Sequence, residues 1–345
     1  MTCQGILRWT IPPAIVAYLV YDVQRQDSFD QIWSGEKNWT LLGVALLAFL
    51  AAQLLTIARW YWLVRALDLP FRWNDAVRLG FLGYLLTFVS LGAVGGDLLK
   101  AFFVAREQPR RRIEAFATVI VDRILGLYSL LLLAAVSIVV SGIWQSPPSA
   151  AVGILCQTVF GTTAVATIAI LFLLSLGGNR AQGFFGPLFD RLARIPKVGA
   201  VLKPLAGAVQ VYRRDLPTVA TSIVVGLLSQ FLLAACVWAI AGALLPNAPS
   251  IGEHVILVPL ALLTTVLPLP GYGLGAFEMA VEFLYRHVGS SAAGGGLLVA
   301  LGFRLVMVVT AMISAVIYAT HRREVGDVLR EAHDECERLA ASANM

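Results

Sequence analysis

The chain has 345 residues, of which 58% are hydrophobic and only 14% are charged. An ordinary globular domain carries about 25% charged residues, so this composition excludes a soluble protein and predicts an integral membrane protein. The net charge of +5 is modest, and in a membrane protein it reflects basic cytoplasmic loops better than nucleic-acid binding. The four cysteines are scattered singly, which favours neither a disulfide framework nor a zinc site.

Six apolar segments have about the length that a membrane-spanning helix needs, roughly 20 residues. In chain order they are 6–21, 40–64, 113–143, 151–176, 217–245 and 297–320. The first segment follows a nearly uncharged N-terminus and has no small-residue cleavage site after it. We therefore expect a retained helix there, not a signal peptide.

Lysine and arginine are distributed unevenly among the connections between these segments. They cluster in residues 65–78, 100–112 and 178–216 and in the tail 321–345, whereas the turns 143–150 and 246–254 contain none. The positive-inside rule then predicts that both termini are cytoplasmic. The connection 178–216 mixes apolar and basic residues, as an amphipathic helix on the membrane surface does. We expect a membrane domain over residues 1–320 and a short cytoplasmic tail.

Two further apolar stretches, 77–100 and 255–287, each begin and end on one side of the membrane in this topology. Proline removes a backbone donor and glycine permits a sharp reversal, so unbroken helices are not expected here. The interrupting residues are Gly95 and Gly96 in the first stretch and Pro270, Gly271, Gly273 and Gly275 in the second. A broken helix is tolerated in a membrane only where protein or a wet cavity satisfies its backbone groups. We predict two opposed re-entrant helical hairpins beside a cavity.

The two interrupted stretches align with one offset, 181 residues (278 minus 97). Asp97 precedes Arg123 by 26 residues, and Glu278 precedes Arg304 by the same 26. Each half thus contains a spanning helix, a hairpin with an acid, and a spanning helix with an arginine. The halves are about 40–143 and 217–320. Their opposite predicted orientations indicate an inverted repeat, an arrangement found in many secondary transporters, whose interrupted segments mark the binding site.

Arg123 and Arg304 fall near the middle of their predicted helices. A central arginine costs about 2.5 to 3.5 kcal/mol, so each needs an acid, carbonyl groups, water or a ligand. Asp97 and Glu278 are the candidate partners, with Asp122 as a local third. Two interpretations of these charges stay open. They form internal salt bridges that hold the broken helices in place, or they line a pathway for substrate.

The half-helix after each break offers free backbone N–H groups to an anionic head group. Asp97 and Glu278 near those ends are alternatively helix caps. Lys100 is either a phosphate-facing cation or a boundary residue that extends towards the head groups. His254 and His287 flank the second hairpin, where interfacial positions are expected.

Four segments resemble, in order, the hallmark segments of the lysylphosphatidylglycerol synthase transmembrane region, a flippase-like membrane family. They are SLGAVGGDLLKAFFVAR, VDRILGLYSLLLL, PLPGYGLGAFEMAVEFL and FRLVMVVTAMISAVIY. The resemblance implies movement of a lipid, in the best-known members an aminoacylated phosphatidylglycerol, between leaflets of a prokaryotic cytoplasmic membrane. It implies functional roles for Gly95, Gly96, Asp97, Arg123, Pro270, Gly271, Gly273, Gly275, Glu278 and Arg304. Lys100 stands where the family often has arginine, and Tyr272 interrupts the paired glycines, so the head group is not fixed by the resemblance.

Family members that synthesise the lipid carry a cytosolic aminoacyl-transferase domain. This chain ends 25 residues after position 320, so we expect no synthesis. It has no P-loop, GxSxG or HExxH motif, and we predict no catalytic residue, metal or cofactor.

The leading hypothesis is a lipid flippase whose partners are membrane lipids with anionic or zwitterionic head groups. The alternatives are an ion-coupled small-solute transporter and a non-transporting partner of a separate glycosyl- or aminoacyl-transferase. A homo-oligomer and an association with a lipid-modifying enzyme are compatible with each of these.

Overall fold

The fold was obtained as a computed structural model that describes residues 38–89, 96–97, 100–101, 103–105, 112–175, 212–213, 215–266, 275–289 and 295–320. This part of the chain is helical and contains no strand. Its helices are α1 (Trp39–Ala66), α2 (Trp73–Val89), α3 (Arg112–Ser141), α4 (Ala150–Ser175), α5 (Leu216–Leu244), α6 (Ile251–Leu262), α7 (Ala276–His287) and α8 (Gly295–Thr320). A 3₁₀ turn, Leu263–Val266, follows α6, and a short helical stretch between 96 and 105, hereafter the 96–105 arm, lies between α2 and α3.

Five of these helices, α1, α3, α4, α5 and α8, are long and apolar enough to cross a membrane. They coincide with five of the six predicted spans, which confirms an all-α polytopic membrane protein. The predicted span 6–21 lies outside the described residues, as do the tail 321–345 and nearly all of the connection 178–216. The glycine and proline breaks at 90–95 and 267–274 also lie outside them.

Local sequence sets where several helices begin. Asn38 caps α1 by accepting a hydrogen bond from the backbone N–H of Leu41. Asp215 caps α5, with a proline in the first turn, where its missing N–H costs nothing. Ser250 and Glu253 form a reciprocal capping box at the start of α6, because each side chain accepts from the other residue's backbone N–H.

The outer surface of the bundle is apolar, as a lipid-facing surface requires. Large hydrophobic side chains such as Leu47, Val140 and Val165 are among its most exposed groups. Without water as a competing solvent, burial of apolar surface does not drive these helices together, so close packing and internal hydrogen bonds must hold them.

The closest helix pair is α1 with α5, and small side chains line their contact. Ala45 and Ala52 on α1 and Ser222, Gly226 and Ser229 on α5 are all buried. The Ser229 hydroxyl donates to the Ala52 carbonyl oxygen over 3.0 Å. Small residues permit the two backbones to approach, and the hydroxyl bond crosses between them.

Buried apolar side chains form two clusters, which we call the first and the second cluster. The first contains the start of α1 (Ala45, Phe49), and the second contains its later turns (Ile57, Leu63). Because α1 is one continuous helix, the clusters occupy opposite ends of the bundle. Helices α3 and α5 begin in the second cluster and reach the first, and α8 runs from the first towards the second. Helices α1 and α8 therefore run opposite to α3 and α5.

The short helices have their buried apolar residues in one cluster each, and Tyr84 of α2 also reaches the first cluster. Early residues of α2 (Ala76, Leu79) and the 96–105 arm (Ala101, Val104) pack in the second cluster. The buried residues of α6 and α7 pack in the first. The two helices on either side of each break therefore share one end of the bundle, and the ends differ between the two breaks.

A Gly226→Ala substitution tests how closely α5 packs against α3 at the point where it also meets α1. A Cβ at this position would lie 2.2 Å from the Ser129 hydroxyl, which is itself bonded to the Leu125 carbonyl. We expect the variant to lose about 1–3 kcal/mol of unfolding free energy through overpacking. Thermal unfolding in one detergent measures this loss. The control is Gly161→Ala, where a Cβ meets no atom within 4 Å, and equal stability of the two variants would contradict the tight contact.

Candidate functional site

A cavity of about 420 Å³ lies between the two clusters. Phe49 and Leu130 of the first cluster and Ile57 of the second border it, so it occupies the middle of the bundle. Its walls come from α1, α2, the 96–105 arm, α3 and α5, with two residues of α8 and one each of α6 and the 3₁₀ turn. The polar side chains in these walls are Gln53, Thr56, Arg59, Tyr84, Asp97, Lys100, Asp122, Arg123, Ser229, Gln230 and Thr265.

Asp97 and Arg123 form an ion pair on the cavity wall, through the Arg123 Nε and an Asp97 carboxylate oxygen. The arginine side chain is 45% exposed and the aspartate 19%. The pair joins the 96–105 arm to α3. Its exposure leaves both groups accessible to water or to a polar ligand in the cavity.

Glu278 and Arg304 form the second pair predicted from the sequence, and this pair is buried. Nε of Arg304 is 2.5 Å from Oε1 of Glu278, and Nη2 is 3.4 Å from Oε2. Only 11% and 2% of the two side chains are exposed, respectively. The Phe277 ring centroid lies 5.4 Å from the guanidinium carbon, a cation–π contact that adds to the enclosure. The pair joins α7 to α8.

Gly275 completes the environment of Glu278. Its backbone N–H donates to Oε2 over 2.7 Å, so Glu278 binds the end of its own helix as well as Arg304. The φ angle of Gly275 is +88°, which strongly favours glycine over residues with a side chain. The predicted site residues Gly275, Glu278 and Arg304 are thus brought together.

Asp122 corrects one prediction. Its Oδ1 accepts from Nε of Arg59 over 2.8 Å, so it serves an arginine on α1 and not one of the two predicted arginines. The sequence reasoning missed Arg59, although a charge within the apolar run 40–64 is itself a signal of function. Asp122 and Arg123 are neighbours on α3 and point about 100° apart, which explains their different partners.

Lys100 lies on the cavity wall, with its Nζ 5.4 Å from the centroid of the buried Trp60 ring. Gly96 is also buried, and its carbonyl oxygen would lie 3.2 Å from a Cβ at Gly83, so α2 and the 96–105 arm pack closely. The predicted site residues Gly95, Pro270, Gly271 and Gly273 lie outside the described residues. Within the described part, no group of three or more potential metal ligands occurs.

The structure encloses the side chain of His254. The sequence predicts a position at the depth of the membrane interface, and the ring is 0% exposed because protein surrounds it. Its Nε2 lies 2.6 Å from the Tyr285 hydroxyl, and its Nδ1 lies 2.9 Å from the Ser250 carbonyl oxygen. His254 therefore links α6 to α7 inside the first cluster. His287 stacks on Phe283 at the end of α7 and is partly exposed.

These features define a polytopic helical membrane protein with a charged internal cavity. A family model described as the lysylphosphatidylglycerol synthase TM region matches residues 9–315. The chain belongs to this family, as the resemblance predicted, and its context is therefore lipid-related. The match covers the transmembrane region of the family and no catalytic domain. Searches of curated proteins and of solved structures gave no match.

The Asp97–Arg123 pair is partly exposed and the Glu278–Arg304 pair is buried, so we expect their loss to lower the free energy of unfolding by different amounts. Arg304→Met leaves the buried Glu278 carboxylate with no cationic partner and only the Gly275 N–H as a donor, so we expect a loss of about 3–5 kcal/mol. Arg123→Met leaves Asp97 in contact with the cavity, and we expect about 1 kcal/mol or less. Denaturant unfolding in one detergent compares them. Glu278→Leu combined with Arg304→Met should recover part of the loss, and equal losses for the two single variants would contradict the assignment.

Proposed function

We propose that the protein moves a polar-headed membrane lipid between the two leaflets. The observation that carries this proposal is the cavity in the middle of the bundle, with five charged side chains on its described walls. Charged groups inside a membrane protein are costly and usually mark a pathway for an ion or substrate. In this mechanism the head group passes through the cavity while the acyl chains remain in lipid.

Two opposed re-entrant hairpins form the two ends of the proposed pathway. The first consists of α2 and the 96–105 arm, and the second consists of α6 and α7. Their packing in different clusters supports entry from opposite leaflets. The cavity then lies between the hairpins, as it does in transporters built from inverted repeats.

An inverted repeat is supported by the order and spacing of the helices. The first half starts its helices at Trp39, Trp73 and Arg112, and the second half starts the corresponding ones at Leu216, Ile251 and Gly295. These starts are separated by intervals close to the 181 residues that align the acids. Corresponding helices run in opposite directions, as the clusters at their ends indicate.

The second cluster marks the proposed cytoplasmic end. Arg65 in the last turn of α1, Arg72 in the connection that follows and Arg78 in α2 lie at this end, whereas the turns 143–150 and 246–254 at the other end carry no lysine or arginine. The positive-inside rule favours this orientation, with both termini in the cytoplasm.

The two predicted ion pairs receive different roles in this proposal. Arg123 is half exposed and its acid faces the cavity, so an anionic or zwitterionic head group can exchange with Asp97 as its partner. Arg304 and Glu278 are enclosed and hold the second hairpin against α8. Lys100 supplies a further cation at the wall of the cavity.

A leaflet assay tests the proposal. Proteoliposomes containing fluorescent phosphatidylglycerol or phosphatidylethanolamine are treated with an impermeant quencher, and the lipid that becomes accessible over time is measured. We expect Arg123→Ala to lower the rate at least 10-fold, because the cavity loses a cation that contacts the head group. The matched control is Arg286→Ala. Arg286 forms an ion pair with Glu282 on α7, and its side chain is exposed.

Two outcomes of this assay would contradict the proposal. One is a rate no greater than that of protein-free liposomes with every lipid tried. The other is uptake of a soluble head-group analogue without any lipid movement, which would favour a small-solute transporter instead.

Thiol labelling tests the orientation. Asn74→Cys lies at the start of α2, and Ser146→Cys lies in the turn before α4, both at exposed positions. Cys3 and Cys336 are replaced by serine, while Cys156 and Cys236 are buried and can stay. We expect an impermeant maleimide to label Ser146→Cys in intact cells and Asn74→Cys only after lysis. The reverse pattern would overturn the orientation but not the bundle.

A further inference from the structure

We infer that the terminal nitrogens of Arg59 form a binding site for an oxyanion with a single negative charge, and that only the first half of the chain contains this site. The inference deepens the proposed function, because it names the side chain that holds the head group and the chemistry that it recognises. Arg59 is 5% exposed yet borders the cavity.

The geometry of Arg59 leaves most of its donors unused. A guanidinium has five N–H groups, and Asp122 accepts the one on Nε. Within the described residues, Nη1 and Nη2 have no hydrogen-bond acceptor. Unpaired donors inside a membrane protein are costly, so water or a ligand in the cavity must supply oxygen atoms to them. An anion with two oxygen atoms on one edge matches the two terminal nitrogens of a guanidinium.

Two glycines on neighbouring helices make room for the guanidinium. A Cβ at Gly126 of α3 would lie 2.9 Å from Nη2, and a Cβ at Gly226 of α5 would lie 3.2 Å from Nη1. Any side chain at these positions would press on the nitrogens that face the cavity. Asp122 and the two glycines therefore fix Arg59 in one place, whereas Arg123 is half exposed.

The second half of the chain lacks the same arrangement. With the offset of 181 residues, the positions of Arg59, Lys100, Asp122 and Gly126 correspond to Ile240, Val281, Phe303 and Met307. All four of these apolar side chains are buried in the first cluster. Phe303 and Met307 also border the cavity, so where the first half presents charged groups to it, these positions of the second half present hydrocarbon. A ligand therefore has one site to occupy and not two related ones.

The charges of the cavity define the ligand. Its described walls carry Arg59, Lys100 and Arg123 against Asp97 and Asp122, which is a net charge of one positive. A phosphodiester carries one negative charge and presents two free oxygens, so it neutralises the cavity and satisfies the guanidinium. The phosphodiester of a membrane lipid has this chemistry, and free phosphate as its monoanion shares it.

Equilibrium binding to the full-length protein in a neutral detergent tests the site. The probe is dioctanoyl phosphatidylglycerol, and dioctanoylglycerol, which has the same chains without the phosphodiester, is the control ligand. We expect Gly126→Ala and Arg59→Lys to weaken binding of the probe about 10- to 100-fold, because each disturbs a two-point contact with a charged group. The matched control is Gly43→Ala on the same helix as Arg59, where a Cβ meets no atom within 4 Å. Binding by this control variant should stay within about twofold of the unmodified protein.

Thermal unfolding is measured for every variant to show that it is folded. If Arg59→Lys does not fold, the binding measured for Gly126→Ala tests the site. A folded Gly126→Ala protein that binds the probe as tightly as the unmodified chain would overturn the inference, and so would equal binding of dioctanoylglycerol. Competition by millimolar phosphate supports a site for the oxyanion itself, and competition by intact lipid diesters alone supports a site for the lipid head group. Binding that depends on Arg59 without lipid movement in proteoliposomes would contradict the proposed function while supporting this site.

Discussion

A charge in the interior of a membrane protein requires a partner, and this requirement organises the bundle. Each of the three arginines discussed above contacts a carboxylate on another element. Arg59 joins α1 to α3, Arg123 joins α3 to the 96–105 arm, and Arg304 joins α8 to α7. Removing one member of the Arg59 or Arg304 pair would leave a buried charge alone, at a cost far above that of an exposed pair. The Arg123 and Arg304 pairs each hold a short element against a long helix, whereas the Arg59 pair joins two long helices.

The two halves share a pattern but differ in what surrounds it. The acid and arginine of each half are 26 residues apart and form a pair in both. One pair borders the cavity, while the other is enclosed beside Phe277 and Met307. The same spacing thus produces an accessible ion pair in one half and an enclosed one in the other. The difference comes from the neighbouring side chains, which are polar in the first half and apolar in the second.

Much of the fold could be predicted because membrane helices leave strong signals. Five predicted spans match observed helices. A run of about 20 apolar residues is long enough to cross the bilayer and rarely adopts any structure other than a membrane-spanning helix. The ion pairs could also be anticipated from the cost of a central arginine and from the repeated spacing. Arg59 was not predicted, because its counterpart in the second half is the apolar Ile240 and it therefore falls outside the repeated pattern of charges. The burial of His254 could not be predicted either, because it depends on Tyr285, which is 31 residues away and meets it only in the packed structure.

The contact between α1 and α5 limits how the molecule can move. Its alanines, serines and glycine bring two backbones together, and hydroxyl groups of Thr56 and Ser229 bond across it. Separating these helices would expose serine and glycine backbone to lipid, where no acceptor replaces the lost bonds. Any motion that opens the cavity must therefore keep these two helices together. The α1–α5 pair would then be the pivot about which the short helices α2, α6 and α7 move.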